Sequence, residues 1–332
     1  TSGTTGRAKG VVWTQDNYQW AGRVGARHLQ LRAEDRILLY VPLFHANAQS
    51  YVLMPALWVG ATIIVMPRFS ASRFWPVSVE ERATVASMIP FAVKALRAHD
   101  VPADHVYRCW GNGVIVPGWD KRFSVSTVSW WGMTETVSQP IVSTPGEAGH
   151  PLAMGRCAPE YEVRIVADDG TVLTPPAVGL LQVLGERGLS LFAEYLDDPQ
   201  ATASTFTADG WLETGDRVEA HDDGWFSFVE RDKDMLKVGA ENVAALEIER
   251  VVNTVTGVRA VAVVAAPDPM LEEIPVAFVV PTDDAPADLG DQIVQHCRSQ
   301  LADFKVPRLV SIVDALPESL LGKIAKNVLR KR

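Results

Sequence analysis

The first ten residues, TSGTTGRAKG, have the composition of a loop that binds phosphate. Glycines let the backbone approach a ligand closely, while hydroxyl and backbone N–H groups donate hydrogen bonds to anionic oxygens. Lys9 adds a positive point charge. The spacing is not that of the GxxxxGK(S/T) loop, because Gly6 is followed by Arg7 and Lys9 by Gly10. By composition alone, a flexible Ser/Gly terminus is an equal alternative.

Two later segments place a carboxylate among residues suited to a nucleotide. SWWGMTET, residues 129–136, contains Glu135, and a carboxylate acting together with substrate phosphates is a usual way for proteins to bind Mg²⁺. WLETGD, residues 211–216, predicts a tight turn bearing Asp216, whose carboxylate can accept hydrogen bonds from two neighbouring sugar hydroxyls. The tetrapeptide Gly-Met-Thr-Glu on its own is short enough to occur by chance, and for Asp216 the segment alone favours a solvated turn aspartate.

Residues 228–249, FVERDKDMLKVGAENVAALEIE, concentrate charged side chains ahead of a Gly-Ala pair. We interpret this stretch as a hinge between a large body and a small domain. After the Gly-Ala pair, Ile248, Val251, Val252 and Val255 follow the i, i+3, i+4, i+7 spacing of a helix that buries one face. Packing of a core explains that apolar stripe without any ligand.

The elements that must position these segments alternate between strands and helices, which predicts an α/β body with buried strands. Thr14 is suited to cap a first helix. Further elements of the body are predicted at 37–41, 61–66, 72–82, 84–88, 162–167, 171–173 and 179–184. A hairpin is predicted to join 162–167 to 171–173. Strands at 258–265, 275–280 and 308–313 around a helix at 288–301 predict a compact α+β unit.

Length and charge limit the kinds of function. At 332 residues with 47% hydrophobic content the chain can bury more than one core, and we predict a large domain at 1–231 and a mobile small domain at 232–332. A formal net charge of −9 argues against nucleic acid or an anionic membrane as the main partner. The longest apolar run, 51–66, is interrupted by Pro55 and Gly60 and is too short to cross a membrane.

The three cysteines, Cys109, Cys157 and Cys297, are widely spaced and form no CxxC pattern. Neither a disulfide framework nor a zinc site is therefore indicated, and a reducing cytoplasm is the expected location. The oligomeric state stays open, a homodimer included. Because the sequence starts at Thr1 inside a loop with functional composition, we expect it to be a fragment of a longer protein.

Taken in order along the chain, these segments resemble the motifs of the adenylate-forming superfamily, which includes acyl-CoA synthetases, adenylation domains of non-ribosomal peptide synthetases and luciferases. The N-terminal loop resembles the phosphate-binding signature, SWWGMTET the aromatic-Gly-Met-Thr-Glu motif, and the C-terminal PESLLGKIAKNVLRKR the Gly-Lys-Ile motif. Residues 232–249 are particularly similar to acyl-CoA synthetases of the crotonobetaine/carnitine–CoA ligase type. The implied fold is acyl-CoA synthetase-like: a large α/β domain, truncated at its start, and a small α+β C-terminal domain.

The resemblance implies an ATP site. Thr134 is expected to contact phosphate and Glu135 to hold Mg²⁺. The residues assigned to the ATP phosphates are Thr1, Ser2, Gly3, Thr4, Thr5, Gly6 and Lys9. The residues assigned to adenine and ribose are Gly111, Asn112, Gly113, Trp131, Asp216 and Arg231. The family usually has a small residue at the position of Asn112 and a proline at that of Val114, which predicts an altered pocket here.

The resemblance also assigns an acyl pocket and a moving part. His45, in PLFHANAQ, is placed at the acyl pocket with Trp110 and Gly132, although a lone histidine is more often structural. Asp232 falls at the hinge. The loop that meets the pantetheine arm of CoA maps to Lys237, Gly239 and Ala240, where the family usually has Gly-Gly.

The implied activity has two steps. A carboxylic acid reacts with ATP to give acyl-AMP and pyrophosphate, and the acyl group then passes to CoA, with ATP, Mg²⁺ and CoA as the required small molecules. Lys323, Thr134 and Glu135 are the expected catalytic residues. Two alternatives stay open: transfer to a carrier-protein phosphopantetheine, and a nucleotide-binding fragment without activity. The sequence does not name the acid.

Overall fold

The computed structural model describes residues 9–231, 235–238, 241–269, 271–318 and 324–331. These residues form two compact units. The first comprises the described residues up to 214 together with 218–228. The second comprises 215–217 together with the described residues from 229 onward. The predicted hinge residue Asp232 lies outside the described residues.

Strands and helices alternate along the first part of the chain, as the sequence predicts. The elements up to residue 231 are, in chain order, β1 (Val11–Val12), α1 (Gln15–His28), β2 (Arg36–Leu39), a π-helix (Asn47–Leu53), α2 (Met54–Val59), β3 (Thr62–Val65), α3 (Ala71–Glu80), β4 (Val85–Ser87), α4 (Pro90–Leu96), β5 (Cys109–Asn112), α5 (Trp119–Phe123), β6 (Ser126–Trp131), β7 (Ile141–Val142), β8 (Ala153–Cys157), β9 (Glu162–Val166), β10 (Ala177–Leu184), β11 (Glu194–Tyr195), α6 (Pro199–Ser204), β12 (Leu212–Ala220) and β13 (Trp225–Arg231).

Within the described residues, eleven strands form one sheet in the order β3-β2-β4-β5-β6-β7-β8-β13-β12-β10-β9. The strands from β3 to β6 are parallel, and β7 and β8 continue the sheet with antiparallel pairing. Parallel strands need crossover connections, and the intervening helices supply them. The carboxyl ends of β2, β4, β5 and β6 therefore meet at one edge of the sheet, where ligands bind in folds of this type.

Helix α1 begins with a capping box at Thr14. The Thr14 hydroxyl accepts a hydrogen bond from the N–H of Asn17 at 3.1 Å, and the Asn17 side chain accepts one from the N–H of Thr14 at 2.9 Å. Asn17 is fully buried, and its amide group donates to the carbonyls of Leu189 and Leu191. The start of α1 is thereby fixed to the segment that leads into β11.

An ion pair between the buried Asp35 and the partly exposed Arg108 joins the amino ends of the parallel strands. Asp35, immediately before β2, accepts hydrogen bonds from the N–H of Arg32, the Thr84 hydroxyl and the Arg108 guanidinium, with the Thr84 and Arg108 Nε contacts both at 2.8 Å. Burial by itself raises the pKa of Asp35, but these hydrogen bonds outweigh it and hold the pKa below its ordinary value.

Three predictions of local structure differ from what is observed. The chain does reverse after β9, because the N–H of Ala167 donates to the Thr171 carbonyl and that of Leu173 to the Ile165 carbonyl, both at 2.9 Å. Residues 171–173 nevertheless form only a bridge, Val166 to Val172, and not a strand, and the strand that pairs with β9 is β10. Strand β3 is predicted to be buried, yet it lies at the sheet edge, where Val65 is 62% exposed. The predicted tight turn at Asp216 is also wrong, because Asp216 lies within β12. In each case the deciding factor is which strand pairs with which, a tertiary property.

The second unit is built on a smaller sheet. Its elements are, in chain order, β14 (Met235–Val238), β15 (Glu241–Ala244), α7 (Ala245–Val252), β16 (Val258–Asp268), β17 (Glu272–Pro281), α8 (Leu289–Gln300), β18 (Leu309–Ile312) and α9 (Lys326–Leu329). The described strands follow the order β15-β14-β17-β16, and β18 pairs with β17 in parallel. This is the α+β unit that the sequence predicts.

Helices pack on both faces of the smaller sheet. Ile248 of α7 and Ile293 of α8 are fully buried against residues of β16 and β17, and Leu329 of α9 is buried on the opposite face beside Phe278. The Lys326 ammonium also lies 3.0 Å from the carboxylate of Glu249. The amphipathic stripe of α7 is thus core packing, as its spacing indicates. Among the described residues, no helix is both long and apolar enough to cross a bilayer.

Replacing Asp35 with asparagine should lower the free energy of unfolding by about 2 kcal/mol at pH 7, because a buried acceptor of several charged hydrogen bonds is lost. Since the folded pKa of Asp35 is depressed, its contribution is fully present above its ordinary pKa and disappears as the pH falls through the folded value. Urea unfolding between pH 7 and pH 3 should show a flatter pH dependence for Asp35→Asn.

The matched control is Asp209→Asn, because Asp209 pairs with Arg164 at 2.9 Å while its side chain is 58% exposed. Its stability should change little at any pH. Equal losses in the two variants would contradict the role given to Asp35.

Candidate active site

Several sequence-predicted residues lie at the carboxyl edge of the parallel strands. β5 ends at Asn112, β6 ends at Trp131, and the segment with His45 follows β2. The register pairs Asn112 with Ser129, and Gly111 with both Val128 and Ser87. This edge therefore carries three features: the glycine-rich segment at residues 111–113, the acidic turn Thr134–Thr136, and His45.

The glycine-rich segment contains two glycines with different roles. A Cβ atom on Gly111 would lie 1.6 Å from Cη2 of Trp130, so a side chain there is incompatible with the packing of β5 on β6. A Cβ on Gly113 would meet no atom within 4 Å. Between them, Asn112 is buried, and its amide donates to the carbonyl of Val114 at 2.7 Å. Their roles toward adenine stay predictions.

Trp110 occupies the core. It is 1% exposed and packs in an aromatic cluster with Phe74, Trp75, Tyr107 and Phe123 at centroid distances between 5.0 and 5.9 Å. This packing accounts for the burial of its ring. The assignment of Trp110 to an acyl pocket stays a prediction.

The turn that carries Thr134 and Glu135 is a short 3-10 helix, Thr134–Thr136, directly after β6. The Thr136 hydroxyl caps it by accepting from the N–H of Met133 at 3.0 Å. The indole N–H of Trp13 donates to the Thr134 carbonyl at 2.9 Å, and the N–H of Phe192 donates to the Glu135 carbonyl at the same distance. Two distant segments of the chain thus hold the turn in place.

Close approach and backbone strain also mark this turn. A Cβ on Gly132 would lie 2.3 Å from the Tyr51 hydroxyl and 2.6 Å from the Ser138 carbonyl, so only glycine fits. Val137 has φ of 61°, in the left-handed region that β-branched residues avoid. Strain of this kind persists only where the surroundings fix the backbone, and it concentrates at functional sites.

Glu135 is 3% exposed, and its two carboxylate oxygens differ in their surroundings. Oε1 accepts a hydrogen bond from the Tyr195 hydroxyl at 2.8 Å. Oε2 is buried and has no hydrogen-bond partner within the described part of the chain. Because a buried charged oxygen without a partner is costly, the arrangement fits a cation at Oε2.

Tyr195 connects Glu135 to the end of the N-terminal loop. β1 pairs antiparallel with β11, which places Val11 opposite Tyr195, and the Gly10 carbonyl accepts from the N–H of Leu196 at 2.8 Å. The Lys9 ammonium consequently lies 4.6 Å from the centroid of the Tyr195 ring. Tyr195 lies in residues 188–206, whose sequence resembles the family's pattern, but the sequence assigns it no role. Only the pairing of β1 with β11 brings it to Glu135.

Burial and negative charge keep two tyrosines protonated beside Glu135. Burial raises the pKa of Tyr195 first, and the charge of Glu135 together with their hydrogen bond raises it further. Burial likewise raises the pKa of Tyr51, with a smaller contribution from the charge of Glu135. Both remain neutral phenols, so Tyr195 acts as a hydrogen-bond donor to the carboxylate.

His45 is half-buried and precedes the π-helix. Its Nδ1 accepts from the N–H of Asn47 at 3.1 Å, and the Asn47 side chain accepts from the Ser87 hydroxyl, at the end of β4, at 2.8 Å. With Nδ1 an acceptor, the neutral ring carries its proton on Nε2. π-helical turns are frequent at functional sites. The acyl-pocket role of His45 stays a prediction.

The other assigned residues lie elsewhere or outside the described residues. Trp131 is buried at the end of β6, Asp216 is 2% exposed on β12, and Arg231 is the last residue of β13. Lys237 is exposed on β14, with its backbone N–H donating to Glu273 at 2.7 Å. The assigned residues that fall outside the described ranges are Thr1, Ser2, Gly3, Thr4, Thr5, Gly6, Asp232, Gly239, Ala240 and Lys323.

Within the described ranges, no group of three or more histidine, cysteine, aspartate or glutamate side chains is arranged to hold a metal ion. A cation on Glu135 would therefore need oxygen ligands from outside these protein groups. Mg²⁺ commonly takes such ligands from water and from the phosphates of a substrate. The donor set at Glu135 fits Mg²⁺ bound together with a nucleotide.

The chain belongs to the AMP-binding enzyme family. The family's model matches residues 1–196, and the model of the AMP-binding enzyme C-terminal domain matches residues 247–323. The resemblance to adenylate-forming enzymes drawn from the sequence is thus confirmed.

Individual relatives agree with this assignment. The chain is 34% identical to the crotonobetaine/carnitine–CoA ligase of Proteus mirabilis and 33% identical to that of Escherichia coli O17:K52:H18, in each case over 99% of this chain and 65% of the relative. The chain therefore spans about two thirds of the length of these relatives.

Solved structures share the fold. ATP-bound MatB from Rhodopseudomonas palustris superposes with a TM-score of 0.90 at 27% identity, covering 100% of this chain and 66% of that one. The O-succinylbenzoate–CoA synthetase MenE from Bacillus subtilis, in complex with AMP, gives a TM-score of 0.88 at 27% identity over 99% of this chain and 68% of its own. The predicted fold, a large α/β domain followed by a small C-terminal domain as in acyl-CoA synthetases, is confirmed.

The two glycines at the end of β5 allow a matched test of the packing. Gly111→Ala should destabilise the protein by about 2 kcal/mol, because the added methyl group must displace the Trp130 indole. Gly113→Ala, made in open space, should leave stability nearly unchanged. Urea unfolding followed by tryptophan fluorescence measures both, and similar stabilities would contradict the close contact of Gly111 with Trp130.

Proposed function

We propose that this protein is an acid–thiol ligase that activates a carboxylic acid with ATP and transfers the acyl group to CoA. Membership of the AMP-binding enzyme family supports the proposal, as do relatives that are themselves CoA ligases. The substrate acid is not specified by identities near 33%. Free cysteines at Cys109, Cys157 and Cys297 favour a reducing cytoplasm as its location.

The main observation in support of the proposal is the burial of the Glu135 carboxylate and the different surroundings of its two oxygens. This carboxylate is buried, held at Oε1 by Tyr195 and without a hydrogen-bond partner at Oε2 among the described residues, with Lys9 over the same tyrosine. A buried anion and a lysine placed together suit a metal–triphosphate ligand. Mg²⁺, when bound, would neutralise charge on the phosphates.

In the first step, a carboxylate oxygen of the acid attacks the α-phosphorus of ATP. The new P–O bond forms as the bond to the bridging oxygen breaks, and pyrophosphate leaves with the electron pair. Lys9, Thr134 and the N-terminal loop are proposed to hold the phosphates, and Lys323 to stabilise the developing charge. The protein's part is positioning and electrostatics, because the reaction needs no covalent enzyme intermediate.

In the second step, the CoA sulfur attacks the acyl carbon of acyl-AMP, loses its proton and expels AMP. Lys237, Gly239 and Ala240 are proposed to meet the pantetheine arm, and Asp232 to be the pivot of a rotation of residues 232–332. The exposure of Lys237 on β14 is compatible with such a role. Asp216 and Arg231 are proposed to hold the ribose hydroxyls throughout.

The decisive experiment separates the ligase from its alternatives. Exchange of labelled pyrophosphate into ATP, measured with a panel of carboxylic acids, reports the first step. Thioester formation with free CoA or with a phosphopantetheinyl carrier protein reports the second and identifies the acceptor. Binding of ATP with no exchange for any acid would leave a nucleotide-binding fragment as the function.

Glu135→Gln should lower the rate of pyrophosphate exchange by about a hundredfold at a fixed Mg²⁺ concentration, because the charged metal ligand is lost. Raising the Mg²⁺ concentration should recover part of the loss. The control is Glu81→Gln, whose parent carboxylate pairs with Arg36 at 2.8 Å near the amino end of β2. Equal Mg²⁺ dependence in Glu135→Gln and the unmodified protein would contradict the metal role.

Lys323→Ala should abolish most pyrophosphate exchange yet leave the conversion of supplied acyl-AMP and CoA to thioester largely intact, since its charge is proposed to act only in the first step. Measuring the two half-reactions separately tests this. Parallel losses in both would overturn the assignment of Lys323.

A further inference from the structure

Tyr195 is a buried residue whose side-chain hydroxyl contacts the candidate site. The residue is 6% exposed, and its ring packs against Phe192 at a centroid distance of 4.8 Å. Its hydroxyl does not point to solvent but donates to Glu135 Oε1 at 2.8 Å. A hydrogen bond from a neutral donor to a buried charge is among the stronger ones in proteins.

The same ring also touches the cation of the N-terminal loop. The Lys9 ammonium lies over it at 4.6 Å from the centroid, within the range of a cation–π interaction. The position of the ring is fixed by the pairing of Val11 with Tyr195 and by the N–H of Tyr195, which donates to the Thr202 hydroxyl at 2.9 Å. The Tyr195 side chain therefore contacts both Lys9, a cation suited to bind phosphate, and Glu135, an anion suited to bind a metal ion.

The hydrogen bond makes the two oxygens of Glu135 unequal. Oε1 accepts the hydrogen bond from Tyr195, which restrains rotation of the carboxylate. The backbone of Glu135 is held separately, because its carbonyl accepts from the N–H of Phe192 at 2.9 Å. Oε2 is therefore the oxygen left to meet a cation. A carboxylate that presents one oriented oxygen binds a metal more tightly than one that must first be ordered.

We propose that Tyr195 is a positioning residue that orients Glu135, so that Oε2 faces the metal–nucleotide, and that holds Lys9 beside the same phosphates. This inference rests on the proposed function, because the metal–nucleotide is the ligand of that site. Tyr195 contacts no reacting atom in this scheme. It acts through Glu135 by its hydroxyl and through Lys9 by its ring.

The test uses Mn²⁺ as a paramagnetic probe and α,β-methylene-ATP, in which the bond to be broken is replaced. Electron paramagnetic resonance of free Mn²⁺ gives the dissociation constant of the metal at saturating nucleotide. Tyr195→Phe keeps the ring and removes the hydroxyl, so Mn²⁺ binding should weaken about tenfold. Binding of AMP alone, measured by calorimetry without metal, should change less than about twofold.

Two further variants sharpen the result. Tyr195→Leu removes the ring as well, and should additionally weaken binding of α,β-methylene-ATP measured without metal, since Lys9 loses its contact. Tyr107→Phe is the matched control, because Tyr107 is also buried and its hydroxyl contacts Ser78 at 2.7 Å in the aromatic cluster. Its Mn²⁺ and AMP dissociation constants should equal those of the unmodified protein.

Each other outcome overturns the inference. Unchanged or tighter Mn²⁺ binding in Tyr195→Phe would show that the hydroxyl does not orient Glu135. An equal loss of AMP binding would show a general structural role. Absence of Mn²⁺–nucleotide binding in the unmodified protein would overturn the proposed function and this inference together, whereas normal pyrophosphate exchange with an unaltered metal affinity in Tyr195→Phe would overturn the inference alone.

Discussion

The constraint on which the candidate site depends is the burial of a negative charge. Glu135 sits at 3% exposure in a turn surrounded by aromatic and small residues. Taking a carboxylate out of water costs several kcal/mol unless hydrogen bonds or a cation replace the lost solvation. Among the described residues, Tyr195 donates a hydrogen bond to Oε1 of Glu135, and Oε2 has no hydrogen-bond partner. Much of the neighbouring structure serves to keep that arrangement in place.

The parallel sheet and two remote segments share this task. The turn follows β6 and lies beside the end of β5, because these two strands are neighbours in the sheet. Gly111 and Gly132 permit the close contacts that this arrangement requires. The remote segments hold the turn by hydrogen bonds: the indole N–H of Trp13 donates to the Thr134 carbonyl, and the backbone N–H of Phe192 donates to the Glu135 carbonyl. Asn17 joins these two segments to each other, because it lies at the start of α1, close to Trp13, and donates to carbonyls of residues near Phe192. The segments that support the turn are thus hydrogen-bonded to one another.

The second unit has its own, independent support. Its sheet is covered on one face by α7 and α8 and on the other by α9. Glu249 of α7 accepts from the N–H of Val263 at 2.7 Å and pairs with Lys326 of α9, so a single buried acid links a helix, a strand and the C-terminal segment. A unit with a core of this kind can keep its internal structure whatever its orientation.

The sequence by itself determined the local features and the family. Helix α1 with its cap at Thr14, the alternation of strands and helices, and the amphipathic α7 follow from short-range patterns, because capping and periodicity act over a few residues. The order of the motifs supports the family resemblance. The motif that contains Glu135 was identified by its resemblance to a family motif, and its role toward Mg²⁺ stays a prediction. Strand partners were harder to predict. Residues 171–173 form a bridge and not a strand, and Asp216 lies within a strand, because both outcomes depend on pairing with distant segments.

Only the tertiary structure decided which residues support the site. Tyr195 became significant because β11 pairs with β1, and Trp110 became a core residue because its ring faces the aromatic cluster. Neither fact can be obtained from spacing along the chain, since the side of a strand that is buried depends on what packs against it. The physical reason is that a motif specifies which chemical groups are present, whereas burial and long-range contacts specify which of their atoms remain available to a ligand.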